Sequence, residues 1–403
     1  MITVTEALEI VLENAGSPST EEIPIREAAG RVLAEDVKSD IDMPPFDRSA
    51  MDGFAVAGEG REHLLMGEIT AGNLPRITVT PGRACAIMTG APVPRGADRV
   101  IMVEHATVEG DRLHIGKIPP EGANICFRGE DVKTGQTVLP RKTGLSGNRI
   151  GIAAMAGKNT LSVFSKSVVG LITTGNEIIP SHRVPAPGEV RNTNLPMMEA
   201  VLRLNGFTDT RSTHCEDDPS SLEETLGTML ETCDVILTAG GVSMGTRDHV
   251  PGVLRSLGVE LLFREVAQKP GKPLTFGVGH DDRVIFGLPG NPVSVMVSLE
   301  EYVLPLLRKR SGFREYTKRD FTGNLLSGFR KKPGRLGYIR AVANFGNSGC
   351  TIELPPSSGS GDLMSTFRVN ALVLAPGEST GAEAGESARF HLMSAFAGEM
   401  AFI

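Results

Sequence analysis

Tryptophan is absent from this chain of 403 residues, and aromatic residues make up only 5% of it, so no aromatic binding platform is evident. Cysteine is scarce. Cys85, Cys126, Cys215, Cys233 and Cys350 are odd in number and show no CxxC spacing, which argues against a disulfide framework and a zinc knuckle and fits a reducing cytoplasm. Excess positive charge is lacking: the formal net charge of −7 argues against a nucleic-acid-binding surface and leaves room for local basic pockets. No window approaches the ~18 apolar residues that span a membrane. The N-terminus has neither the basic start nor the apolar core of a signal peptide. Walker A and GxGxxG patterns are both missing, which excludes an ordinary nucleotide fold. What remains is the composition of a globular protein, long enough for about two to four domains.

One stretch organises the rest. Val235-Ile236-Leu237 is a short apolar run, as in a strand buried on both faces. It stops at Gly240-Gly241, where the backbone can turn sharply and a ligand can approach the main chain. Ser243, Thr246 and Asp248 follow, and Pro251 stands where a helix would begin. Taken alone this is either a tight βα connection or the ligand-binding carboxyl edge of a parallel sheet. Two further strands end in the same way. Val168 to Ile172 runs into Thr173-Thr174-Gly175-Asn176-Glu177, and Val284-Ile285-Phe286 runs into Gly287-Leu288-Pro289-Gly290-Asn291-Pro292. Three such ends in one segment predict a shared crevice in an α/β domain over residues 167–310.

Within that domain, Asn194 to Leu204 reads as a helix, and Asp218-Pro219 caps another that runs to about Glu231. Val259 to Val266 and Pro273 to Val278 read as strands. Between them, Lys269-Pro270-Gly271-Lys272-Pro273 holds two lysines on a proline-stiffened turn. As surface lysines they are unremarkable; their rigidity favours a fixed oxyanion site. Asn291-Pro292 opens a helix whose free amides attract anions, with Ser294 in its first turn.

Elsewhere, residues 3–15 predict an amphipathic helix with a Thr3/Glu6 capping box, stopped by Gly16. Ile23 to Arg26 reads as a strand and Ala28 to Asp36 as a short helix. Pro44-Pro45 excludes helix from residues 40–54 and presents Asp47, Arg48, Ser49 and Asp52 close together. Asp52-Gly53 is either a turn pair or a carboxylate held at a cleft. Residues 54–138 read as a compact β domain, inserted between the helical N-terminus and a second helical patch at Gly151 to Ala156. From Arg319 onward the strands are short and turn-rich, as in a small barrel. Pro355 to Asp362 reads equally as a linker or as a loop over a site.

Seven segments together resemble the MoeA family of molybdopterin molybdenumtransferases, which includes the E domain of gephyrin. They are Pro44-Pro45-Phe46-Asp47-Arg48-Ser49-Ala50-Met51-Asp52-Gly53, Met88-Thr89-Gly90-Ala91, Gly129-Glu130-Asp131, Thr174-Gly175-Asn176-Glu177, Gly240-Gly241-Val242-Ser243-Met244-Gly245, Lys269-Pro270-Gly271-Lys272-Pro273 and Leu288-Pro289-Gly290-Asn291-Pro292-Val293-Ser294. The resemblance implies an elongated N-terminal domain (residues 1–42 and 139–166), an inserted β domain (43–138), a MogA/MoaB-like α/β domain with a mostly parallel sheet (167–312) and a C-terminal β-barrel (313–403). It implies a homodimer in which Asp52 and Asp131 reach the partner's site. The reaction it implies turns adenylylated molybdopterin and molybdate into molybdenum cofactor and AMP with Mg²⁺. Candidate partners are a molybdopterin adenylyltransferase and apo-molybdoenzymes, in the cytoplasm, with no nucleic acid and no membrane. A tungstate-preferring paralogue and a gephyrin-like scaffold are the alternatives.

Matching positions assign molybdate to Lys269, Lys272, Pro273, Ser294, Arg340 and Ser365, and the metal to Glu177, Asp217 and Asp248. Thr89, Gly175, Gly240, Gly241, Ser243, Gly290 and Asn291 are assigned to the adenylate and pterin. Asn192, Cys126, Phe127 and Glu265 depart from what relatives commonly carry, which bears on substrate affinity.

Overall fold

The structure, a computed structural model, describes residues 1–241, 249–347 and 349–394. By contacts it divides into two compact units: residues 1–22, 30–34 and 162–403 form one, and residues 23–29 and 35–161 form the other. The first 22 residues therefore fall in the same unit as the α/β segment. The reason is burial. Helix α1 (Val4–Glu13), closed by the expected Thr3/Glu6 capping box, sets Ala7 and Val11 into the same core as Val169 and Leu171.

The larger unit carries a six-stranded sheet. In chain order its elements are β1 (Val169–Thr174), α2 (Asn194–Leu204), β2 (Thr210–Cys215), α3 (Pro219–Thr232), β3 (Val235–Ala239), α4 (Val250–Ser256), β4 (Glu260–Glu265), β5 (Gln268–Lys269), β6 (Pro273–Val278) and β7 (Val284–Leu288). The sheet order is β2-β1-β3-β7-β6-β4. β2, β1, β3 and β7 run parallel, β6 is antiparallel to β7, and β4 is antiparallel to β6. All five residues of β3 are buried, as the unbroken apolar run predicted for a strand covered on both faces. One core lies between the sheet and α1, α2 and the helix after β7; a second lies beneath α3 and α4. That last helix starts at α5 (Pro292–Ser298), passes a π-helical turn at Leu299–Val303 and continues as α6 (Leu304–Arg310).

The C-terminal strands are β8 (Phe321–Leu325), β9 (Leu336–Gly346), β10 (Gly349–Glu353), β11 (Ala371–Ala375) and β12 (Ser387–Leu392). They pair in the order β9-β10-β8-β12-β11, and β11 returns to β9, closing a small barrel around Leu325, Ile352, Val373 and Phe390. β5 pairs in parallel with the start of β9, with Gln268 beside Leu336 and Lys269 beside Gly337. The lysine turn is thus hydrogen-bonded into the barrel, a connection that its proline-rich sequence hides.

The smaller unit holds another six-stranded sheet, ordered Arg99–Met102, Gly53–Val56, Arg83–Ile87, Glu62–Ile69, Arg112–Ile115, Ala106–Glu109. Its helix, Gly147–Met155, lies over the expected second helical patch. Two readings are corrected. Residues 28–36 form no helix: Gly30 turns the chain at φ +74°, and Leu33 then bridges to Val163. Gly53 is more than a turn residue, because it opens a strand that lies so close to its neighbour that a Cβ would meet the Ile101 carbonyl oxygen at 1.8 Å.

Candidate functional site

The three glycine loops follow β1, β3 and β7, which are adjacent and parallel, so they emerge at one sheet edge. There they wall a cleft of about 1690 Å³ whose opposite side is built by the barrel. Close packing explains Gly240 and Gly241, whereas a Cβ on Gly290 would meet nothing within 4 Å. A Cβ on Gly240 would meet the Thr174 carbonyl oxygen at 2.7 Å, and one on Gly241 would meet Val250 at 2.8 Å. Side chains tie the loops to each other. Asn194 donates to the Gly290 carbonyl (2.8 Å), and Asn176 accepts the Asp217 N–H (3.0 Å), which brings the Glu177 and Asp217 segments to one wall. Asn192 donates to the Thr173 hydroxyl (2.7 Å) and accepts the Leu195 N–H (3.1 Å), so it orders the entry to α2.

The lysine turn enters from the barrel side. Gln268, fully buried, supports it from below. Its Nε2 donates to the Gly271 carbonyl (3.0 Å), and its Oε1 accepts the hydroxyl of buried Tyr302 (2.5 Å). Lys269, Lys272 and Pro273 line the cleft, as do Ser294 and Asn291 at the start of α5. Lys272 is not free: its Nζ lies 2.9 Å from Glu265 Oε1.

Residues 355–363 resolve the choice between linker and loop, because six residues from Pro355 to Gly361 line the cleft. Asn291 donates to the Ser360 hydroxyl (2.9 Å), and Arg340 donates to the Gly359 and Asp362 carbonyls (3.1 and 3.0 Å) and to Ser365 Oγ (2.5 Å). Backbone N–H groups of Ser358 and Ser365 hold the Asp362 carboxyl below its usual range. Arg340 therefore spends much of its guanidinium on the loop, and Ser365 sits behind it, away from the cleft lining.

The remaining motifs gather in the smaller unit. Arg48–Ser49 pairs with Ile125–Cys126, Gly129 N–H donates to the Pro44 carbonyl, and Gly90 N–H donates to the Ser49 carbonyl. This assembles the segments around Asp52, Thr89 and Asp131. Thr89 donates its N–H (2.7 Å) and its hydroxyl (2.9 Å) to Asp52 Oδ1, holding that carboxyl below its usual range. Ser243 and Asp248 lie outside the described residues. Among the described residues no group of three or more His, Cys, Asp or Glu side chains is placed to hold a metal. No helix among them is long and apolar enough to cross a membrane.

Sequence reasoning missed the basic rim. Arg191, Arg330, Lys331, Lys332 and Arg335 join Lys269, Lys272 and Arg340 in the lining, against Glu177, Glu189 and Asp217. The run Arg330-Lys331-Lys332 before Pro333-Gly334 was the available signal. Within a chain of net charge −7, this lining focuses a positive potential into one concavity.

A cationic cleft at a glycine-lined sheet edge, walled by a barrel, defines a protein of the α/β class whose site has the charge to suit an anionic ligand. The comparisons make this specific. Residues 2–157 match the family described as MoeA N-terminal region (domain I and II), residues 170–309 the probable molybdopterin binding domain, and residues 322–393 the MoeA C-terminal region (domain IV). The chain is 31% identical over 393 residues to the molybdopterin molybdenumtransferase of Staphylococcus epidermidis, covering 95% of this chain and 94% of that one. It is 30% identical over 407 residues to that of Staphylococcus aureus, covering 99% and 97%. The crystal structure of the molybdopterin biosynthesis MoeA protein from Pyrococcus horikoshii OT3 superposes with a TM-score of 0.82 at 32% identity, covering 97% of this chain and all of that one. The chain belongs to the MoeA family, the molybdopterin molybdenumtransferases of molybdenum cofactor biosynthesis.

Proposed function

We propose that this chain inserts molybdate into adenylylated molybdopterin, giving molybdenum cofactor and AMP. The observation that carries the reading is the convergence of the Lys269–Pro273 turn, Ser294 and three glycine loops on one cationic cleft. The chemistry asks for a cationic seat for a tetrahedral dianion beside a place for a phosphoanhydride. Lys269 and Lys272 are that seat, with Ser294 as a hydroxyl donor and Pro273 fixing the turn. The glycine loops after β1, β3 and β7 take the adenylate and pterin, where main-chain N–H groups can be approached closely. Arg340 and Ser365 act through the loop they hold.

Glu177 and Asp217 fit a Mg²⁺ ion, which takes one or two carboxylates and fills its remaining positions with waters and phosphate oxygens. Asp248 is the third candidate. When bound, Mg²⁺ would neutralise the phosphates and polarise the anhydride. The carboxylates orient that ion, and the turn orients the oxyanion. Asp52 and Asp131, with Thr89 orienting Asp52, are proposed to serve the site of a second chain in a homodimer.

The test is AMP release from adenylylated molybdopterin with purified protein, Mg²⁺ and either molybdate or tungstate. AMP release that depends on oxyanion is expected. Lys269→Ala or Lys272→Ala should weaken oxyanion binding about ten- to a hundredfold, the loss of one charge-assisted hydrogen bond of roughly 1.5–3 kcal/mol. Unchanged affinity in both variants by calorimetry at fixed salt overturns the assignment.

A further inference from the structure

We propose that Glu265 sets the affinity of the cleft for its oxyanion by competing with it for Lys272. The inference rests on the reading that the Lys269–Lys272 turn is the oxyanion seat.

The register makes the competition. β4 and β6 run antiparallel, with Glu265 opposite Pro273, the residue that follows Lys272. The carboxylate at the end of β4 therefore lies beside the ammonium at the end of the turn, at 2.9 Å. The partners are unequally solvated: the Glu265 side chain is 22% exposed and that of Lys272 is 41%. The acid is the more buried member of the pair and the lysine the more exposed one. Lys272 also lines the cleft, whereas Glu265 does not.

An ammonium has three donors, and one is engaged here. An arriving dianion must either share Lys272 with a carboxylate or draw it away. Sharing sets like charges a few ångströms apart, and withdrawal gives up an ion pair. Both weaken binding and both depend on the charge at position 265; salt screens such a close, half-exposed pair only in part. The pair also holds Lys272 next to the turn when no oxyanion is bound. No other cation of the turn is damped in this way: Lys269 has no ion-pair partner among the described residues. The seat therefore works as one full cation and one attenuated cation, which gives a site that exchanges its oxyanion readily.

The experiment measures molybdate and tungstate affinity by calorimetry at low and high salt. The proteins are the parent, Glu265→Gln, Glu265→Ala, Lys272→Ala and the double variant Glu265→Gln/Lys272→Ala. Thermal melts identify any variant that fails to fold, and the alanine variant stands in if glutamine does. Glu265→Gln should bind oxyanion on the order of tenfold more tightly at low salt, with a smaller gain at high salt. The KM for molybdate should fall without a matching rise in kcat. The gain should shrink when Lys272 is absent. If Lys272→Ala weakens binding while both Glu265 variants bind as the parent does, the competition is overturned and the oxyanion seat stands. If Lys269→Ala and Lys272→Ala leave affinity unchanged, the seat itself is wrong. An equal gain with and without Lys272 also overturns the proposal, since the carboxylate would then act by bulk repulsion alone.

Discussion

Replacing Gln268 by leucine tests how the oxyanion turn is supported. The residue is wholly buried, and its amide joins two other buried groups: it accepts the Tyr302 hydroxyl at 2.5 Å and donates to the Gly271 carbonyl at 3.0 Å. Gln268→Leu conserves volume and removes both bonds, depriving the Tyr302 hydroxyl of its acceptor and the Gly271 carbonyl of its donor. Each such group costs roughly 1–3 kcal/mol, so the variant should lose about 2–6 kcal/mol. At about 2–4 °C per kcal/mol for a body of this size, the melting transition should fall by roughly 4 °C or more. A double-mutant cycle isolates the cause. Tyr302→Phe removes one of the two stranded groups, so Gln268→Leu/Tyr302→Phe should be less destabilised than the sum of the singles by about 1 kcal/mol or more. Oxyanion affinity should fall in Gln268→Leu as well, because the Gly271 peptide stands between the two lysines. Additive single effects, or a melting temperature equal to the parent's, would refute this account of the turn.

His391 should make the stability of the larger unit depend on pH. Burial disfavours its charged form, but hydrogen bonds to Glu301 (2.8 Å) and Asp320 (3.2 Å) outweigh burial and raise its pKa. The stabilisation is complete below the ordinary imidazole value of about 6.5 and is lost as pH rises through the higher folded value. The melting-temperature gap between parent and His391→Gln should therefore close in alkaline buffer, and a constant gap would refute the coupling. Shared sites in a homodimer predict that Asp52→Asn and Glu177→Gln, each inactive, rescue each other in an isolated mixed dimer to about half the parental AMP release. No rescue in a verified mixed dimer would leave Asp52 as an acid held by Thr89 alone.

The legible parts were those whose signals are local. Val235-Ile236-Leu237, the Asp218-Pro219 cap and the Thr3/Glu6 capping box each specify structure within a few residues, and each element stands where it was expected. The illegible parts are long-range pairings. Ala28 to Asp36 has helical composition, yet Leu33 bridges to Val163, and that pairing decides its conformation. Gln268 reads as one more polar residue before a turn until Tyr302 is folded beneath it. Glu265 and Lys272 are seven positions apart in a strand and a turn, so only the β4/β6 register reveals their contact. Arg330-Lys331-Lys332 was visible as a charge run, but nothing in the sequence says which surface it faces.

The β5 ladder also decides what the barrel does for the site. Lys269 pairs with Gly337 on β9, and Tyr338 and Arg340 follow on that strand, two residues apart and thus on one face. Tyr338 packs against Val293, Met296 and Val297 of α5, the helix that carries Ser294. The same short strand thus holds the turn to β9, and β9 holds the helix start and the Arg340-bound loop. Three anion-directed elements are fixed to one another by a buried apolar cluster and a main-chain ladder, with no direct contact between their charges. The elements that carry the cations are thus positioned by apolar packing of Val293, Val297, Tyr338 and Leu372, while Glu265 offsets part of the charge on Lys272.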